Sequence, residues 1–132
     1  MQYIHEMLEQ AKAAQTKSYA PYSNFHVGSC IRSTDKQFFS GCNYENASYS
    51  LCLCAEGSAI AAMITAGYQQ ILEMVIVGDS EKPCTPCGAC RQRIREFALP
   101  ETRIHMFGKS DESLTMTLAE LLPESFGPEF IK

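Results

Sequence analysis

Ile4, Met7, Leu8, Ala11 and Ala14 recur in steps of three and four with polar residues between them, which predicts an amphipathic helix over residues 3–19, ended by Pro21. The looser alternation of FHVGSCIRS at 25–33, the turn residues at 34–37 and the short apolar run at 38–42 predict a β-hairpin. Residues 43–53 are polar and aperiodic and read as a loop. CAEGSAIAAMITA at 54–66 is Ala-rich and nearly uncharged, with Gly67 just behind it, the pattern of a buried helix. The β-type run at 71–77, closed by Gly78 and Asp79, predicts an interior strand. Pro83 and Pro86 interrupt the chain, helical spacing resumes over 87–97, and a second apolar strand follows Pro100 at 103–107.

Strand, helix and strand in so short a stretch form a βαβ unit, which makes its two strands parallel. Residues 114–117 add a short strand and 118–122 a helical turn ahead of Pro123. The expected fold is therefore α/β: three layers, α/β/α, around a mixed sheet of about five strands. The 132 residues fit a single domain over 1–132. The tail PESFGPEFIK carries two Phe and is expected to dock on something rather than stay free.

Composition narrows the partners. The chain is 45% hydrophobic and 20% charged, too apolar for disorder. No apolar run approaches the roughly 18 residues of a membrane helix, and MQYIHEMLEQ lacks the layout of a signal peptide. Neither membrane insertion nor secretion is expected; a cytoplasmic location is. The net charge of -4 works against a broad DNA or RNA surface, so a small-molecule partner is expected and nucleic acid is not. Seven cysteines, an odd number, in a chain read as intracellular should be reduced thiols, serving either as core residues or as metal and redox groups.

Their spacing decides. Cys54-Ala55-Glu56 opens the buried helix and Pro86-Cys87-Gly88-Ala89-Cys90 opens the next. Cys87 and Cys90 share one face of a first helical turn, and Cys54 adds a third thiolate from the other helix start. Three ligands leave a fourth tetrahedral position open, which distinguishes catalytic from structural zinc. Both helix N-termini turn partial positive charge toward the thiolates. Glu56, two residues past Cys54, is placed to move a proton without binding the metal. Pro83-Cys84-Thr85-Pro86-Cys87 spells a rival register, but it puts Pro86 between its ligands and leaves Cys90 unused. Cys52 or Cys84 as a fourth ligand would make the site structural instead. Cys30 and Cys42 read as packing residues, and His5, His26 and His105 as structural or surface residues. Ligand softness favours zinc, with iron or another thiophilic ion compatible with the same spacing.

A Cys-x-Glu followed by Pro-Cys-x-x-Cys is the zinc deaminase signature. With APYSNFHVG at 20–28, GCNYENASYS at 41–50 and PCGACRQ at 86–92, the chain resembles cytidine deaminase of the small homotetrameric type, from the first helix to the tail. The resemblance implies hydrolytic deamination of cytidine and deoxycytidine to uridine and deoxyuridine with release of ammonia, in pyrimidine salvage. It implies one Zn2+ per chain on Cys54, Cys87 and Cys90, with Glu56 as the catalytic proton shuttle. It further implies that Asn43 and Glu45 hold the ribose, Phe25 lines the pyrimidine pocket and the Ala55 backbone N–H orients the base. Phe126 is implied to reach a neighbouring subunit's site, and Tyr49 to be a subunit contact in a homotetramer.

The chain departs from that pattern at Gly57, where small cytidine deaminases typically carry an Arg that donates to the zinc thiolates. Three thiolates exceed zinc's charge by one, and Arg91, next to Cys90, is expected to share the missing role with the helix N-termini. A deaminase for another cytosine-bearing compound, a polynucleotide deaminase and a zinc-stabilised binding module without turnover are the alternatives. The last of these predicts that Glu56 is dispensable.

Overall fold

The structure, a computed structural model, describes residues 3–110 and 112–131. Its frame is one five-stranded sheet in the order β2-β1-β3-β4-β5, formed by β1 (Gly28–Arg32), β2 (Phe38–Cys42), β3 (Ile71–Val77), β4 (Ala98–Phe107) and β5 (Ser113–Thr117). β1 and β2 are the expected hairpin. β3 lies between β1 and β4, antiparallel to the first and parallel to the second, so the sheet is mixed and its parallel pair is the one the βαβ order requires.

Alternation along the strands sorts side chains between two helical layers. Met74 and Ile76 of β3 join Ile31, Ile104 and Met106 against α2 (Ala55–Thr65), α3 (Gly88–Phe97) and α4 (Leu118–Leu121), where Ile60, Met63, Ile94 and Leu121 meet them. Val75 and Val77 face the other way with Cys30, onto Met7 and Ala11 of α1 (Ile4–Gln15). Each such buried Val, Ile, Leu or Met contributes roughly 1.5–3 kcal/mol relative to exposure, which makes this sandwich the main source of cohesion. A Cβ on Gly41 would stand 2.5 Å from the Ala59 nitrogen; its absence lets α2 settle directly on β2.

Several boundaries differ from expectation for identifiable reasons. α1 ends at Gln15 rather than near Tyr19, because Tyr19 N–H donates to Asn43 O and Tyr19 O accepts from Glu45 N–H, tying this segment to the chain beyond β2. β1 begins at Gly28, since His26 N–H is diverted to the Asp79 carboxylate at 2.7 Å. The segment 43–53 is a loop but contains a Tyr44–Leu53 bridge and a 3-10 turn at Tyr49–Leu51. In β4, Ala98 pairs with Ile71 before the register jumps to Arg103 opposite Glu73. Pro100 therefore lies in a bulge, where Thr102 Oγ1 accepts from Leu99 N–H and donates to Ile71 O. α2 is buried on one side only, with Ile64 40% exposed.

The tail is fixed by polar contacts to α3: Arg95 donates to Ser125 Oγ and Glu129, and Gln92 donates to Phe126 O. The tail is thus docked, while its aromatics are not buried within the chain. Phe126 and Phe130 stack on each other at 5.5 Å and both stay largely exposed. Among the described residues, no helix is long and apolar enough to cross a membrane.

Candidate metal and catalytic site

The start of β1 and the ends of β2 and β3 lie at one end of the sheet, and α2 and α3 begin around it. Cys54 is the last extended residue before α2 (φ -75°, ψ 158°) and Cys87 the last before α3 (φ -68°, ψ 170°). Their carbonyls close the first turns by accepting from Ser58 N–H and Arg91 N–H, each at 3.0 Å. Neither thiol caps its helix, so both are free to face Cys90 one turn into α3. The three Sγ atoms lie within 4.8 Å of one another, with Cys54 and Cys87 at 4.0 Å. Zn–S bonds of about 2.3 Å at tetrahedral angles separate sulfurs by roughly 3.8 Å, so the cluster fits the ion that the donor set favours. Cys84 and Cys52 stand outside the cluster, with sulfur contacts to Thr85 O and to the Asn46 backbone. This separates the two cysteine registers in favour of Cys87 and Cys90.

The three thiols also interact with one another. Hydrogen bonding from Cys90 pulls Cys54 down to about 6 against the opposing effect of burial, with Cys87 and the Arg93 charge assisting. Cys90 is pushed up, because it donates to Cys54 and is buried near Glu56. A thiophilic dication would replace these protons. Glu56, in the first turn of α2, is 4% exposed, and burial pushes its carboxyl up to about 7, with the neighbouring Cys54 adding to the rise.

Glu56 opens onto a cavity of about 180 Å³ whose walls include Cys54, Cys87, Ala55, Phe25 and Asn43. The Ala55 N–H belongs to the first turn of α2 and has no partner within the helix. Phe25 follows Asn24, which takes a left-handed backbone (φ 56°). A Cβ on Gly78 would sit 3.3 Å from the Phe25 ring and 2.8 Å from Cys84 Sγ, so the bare end of β3 admits both. Asn43 Oδ1 accepts from Val27 N–H and Ser18 Oγ, while Nδ2 donates to Phe25 O; the amide clamps the cavity wall.

Other expected residues fall elsewhere. Glu45 accepts from the Ser23 hydroxyl and from the Tyr22 and Ser23 N–H groups, and the Ser23 hydroxyl foremost holds it below the usual carboxylate range. It lines a neighbouring cavity of about 240 Å³ with Tyr22, Tyr49 and Cys52, not the wall that Asn43 shares with Glu56. Phe126 lines neither cavity. Arg91 is not a thiolate donor: its guanidinium goes to Pro86 O and Leu121 O, both at 2.8 Å, fastening the loop before α3 to α4. Arg93 Nη1 donates to Cys90 Sγ at 3.5 Å instead. Sequence reasoning also missed Asp79, Ser18, Val27 and Thr85, and Cys84, weighed there as a ligand, is a wall of the cavity instead. Only Arg93 left a usable signal, its three-residue step from Cys90 on a helix. A larger cavity, about 370 Å³ near Leu118 and Pro123, has Arg95 and Glu124 as its only charged lining groups and assembles no comparable chemistry.

Three soft sulfurs with one face open, beside a buried carboxyl ready to exchange a proton near neutral pH, define a hydrolytic zinc centre at the end of a mixed α/β sheet. Residues 1–106 match the family described as the cytidine and deoxycytidylate deaminase zinc-binding region, and the chain belongs to that family. It is 34% identical over 126 residues to the cytidine deaminase of Sporosarcina psychrophila, covering 96% of this chain and 93% of that one. It is 37% identical over 128 residues to that of Mycoplasma pneumoniae, covering 96% and 93%. The crystal structure of cytidine deaminase from Burkholderia pseudomallei superposes with a TM-score of 0.90 at 41% identity, over 93% of this chain and 98% of that one.

Proposed function

We propose that the chain is a single catalytic domain over residues 1–132 that hydrolyses cytidine and deoxycytidine at C4, releasing ammonia and leaving uridine or deoxyuridine. The observation that carries this is the convergence of Cys54, Cys87 and Cys90 beside the buried Glu56 at one small cavity. Cys54, Cys87 and Cys90 hold one zinc ion per chain. When bound, zinc supplies a Lewis acid that lowers the pKa of water toward neutrality.

Glu56 does the proton work. Its carboxylate accepts a proton from the attacking water and delivers it to ring N3, while the water oxygen bonds to C4. A second transfer through the same carboxyl moves the remaining water proton to the exocyclic nitrogen; the C4–N bond breaks and ammonia leaves. Burial favours the protonated form of this carboxyl, which helps Glu56 hold each proton between the two transfers. Phe25 packs against the pyrimidine face and the free Ala55 N–H orients the base. The ribose extends from the cavity toward Asn43 and Glu45, each already held in place by its own hydrogen bonds.

The finer reading follows the family resemblance. The functional particle is a homotetramer in which Phe126 of one copy completes a neighbour's site and Tyr49 lies between copies. The exposure of Phe126 (56%) and Tyr49 (77%) in the single chain supports this. Seven free cysteines, three of them gathered for metal, suit a reducing compartment and support the reading of a cytoplasmic enzyme, and a role in pyrimidine salvage follows from the resemblance.

The test is ammonia release from cytidine and deoxycytidine by zinc-loaded protein, with Cys90→Ala as control. Turnover by the parent and none by the zinc-free variant is expected. A folded, zinc-loaded parent that leaves both nucleosides intact would overturn the reading.

A further inference from the structure

Three thiolates and one dication carry a net charge of -1, and Cys90, fully buried, has no water to offset its share. Among the described residues, the donor that reaches these sulfurs, apart from the thiols themselves, is Arg93, with Nη1 3.5 Å from Cys90 Sγ. Neighbouring arginines on α3 are committed elsewhere: Arg91 to the Pro86 and Leu121 carbonyls, Arg95 to Ser125 and Glu129. Arg93 makes no ion pair with a carboxylate among the described residues. Its stem passes the start of α2 at Gly57, where a Cβ would stand 3.6 Å from Arg93 Cδ and 2.8 Å from Leu53 Cδ1. A Cβ here would only touch the Arg93 stem and would crowd Leu53, so the cation carried by α3 runs directly alongside the bare position on α2.

We infer that Arg93 is a positioning residue of the metal centre, bringing from α3, past Gly57, the positive charge that the three-thiolate cradle lacks. This rests on the reading of Cys54, Cys87 and Cys90 as zinc ligands. A guanidinium donating to sulfur withdraws electron density from Cys90 and damps its nucleophilicity toward anything but the metal. It also leaves the ion a stronger Lewis acid than three unassisted thiolates would.

The experiment uses zinc-loaded protein treated with iodoacetamide, with zinc release followed by an indicator dye, so that only alkylation of coordinated cysteines is seen. Arg93→Gln and Arg93→Met remove the charge, Met keeping an apolar stem beside Gly57, and Arg93→Lys restores a cation. We expect release about fivefold faster in the Gln and Met variants, the effect of losing one charged hydrogen bond to sulfur at a partly exposed site, and near-parent release in Lys. With cobalt in place of zinc, the thiolate-to-metal charge-transfer band should move to longer wavelength in Gln and Met and return in Lys. Parent-like release rates and spectra in Gln and Met, with one metal per chain, would overturn the role of Arg93 alone. A parent that holds no zinc on these cysteines would overturn the ligand assignment and this inference with it.

Discussion

Among the described residues two glutamates are buried, and their surroundings are opposite. Glu73, at the middle of the sheet on the α1 side, is surrounded by partners. Arg32 reaches Oε1 at 3.0 Å and His105 Nε2 lies 2.7 Å from Oε2, while His105 Nδ1 is 2.9 Å from Thr115 Oγ1. Burial alone would raise its pKa, but the hydrogen bonds and charges of His105 and Arg32 outweigh burial and hold it low. Glu56, at the end of the same sheet, has burial and the negative Cys54 beside it, and rises to about 7. One carboxylate is finished within the fold and ties strands together. The other is left unneutralised by the fold, as the proposed proton carrier beside a metal centre would be.

This contrast can be broken at either end. The largest effect is expected from chelation: stripping the metal should abolish ammonia release completely, with metal content and activity falling together and returning on zinc addition. Next is Glu73→Gln, which leaves Arg32 and His105 without their anion. A loss of about 3 kcal/mol in urea unfolding is expected, the low end for a buried pair because Arg32 stays 20% exposed. Because the folded-state pKa of Glu73 lies below its unfolded value, the pair's contribution is complete above about pH 4.3 and disappears as pH falls through the folded pKa.

Glu56 has the opposite sign. Between about 4.5 and 7 the folded metal-free chain keeps a proton that the unfolded chain has lost, so stability falls as pH rises through that window. Glu56→Gln should therefore stabilise the metal-free protein at pH 8, by about 2 kcal/mol after the penalty of burying an amide, measured by the same unfolding. The smallest effect belongs to Thr115→Val, which removes only the outer hydrogen bond of His105 and should lower stability by about 1 kcal/mol without changing turnover.

Much of this was legible in the chain. The order of elements, the parallel pair and the strand β3 follow from period and punctuation, because each strand and helix buries a face that the sequence must mark. The cysteine cluster was legible because first-turn geometry on a helix is local: Cys87 and Cys90 cannot avoid sharing a face. Contacts made across distant segments left little trace. Asp79 draws His26 out of the β1 ladder, and Tyr19 leaves its helix to bridge the chain beyond β2. Arg91 and Arg93 look interchangeable as letters; only the packing of α4 and of the α2 start against α3 sends one to carbonyls and the other to sulfur. Asn43 and Glu45 read as one polar pair, yet their hydrogen bonds turn them toward different cavities.

The most direct measurement is turnover of cytidine by the zinc-loaded Glu56→Gln protein, compared with the parent at equal metal content. The account predicts that zinc binding and fold persist while kcat falls by roughly three orders of magnitude, the loss of a general acid and base in one group. A Glu56→Gln enzyme that keeps its zinc and turns over within a few-fold of the parent would contradict it, and would move the proton transfer to another residue.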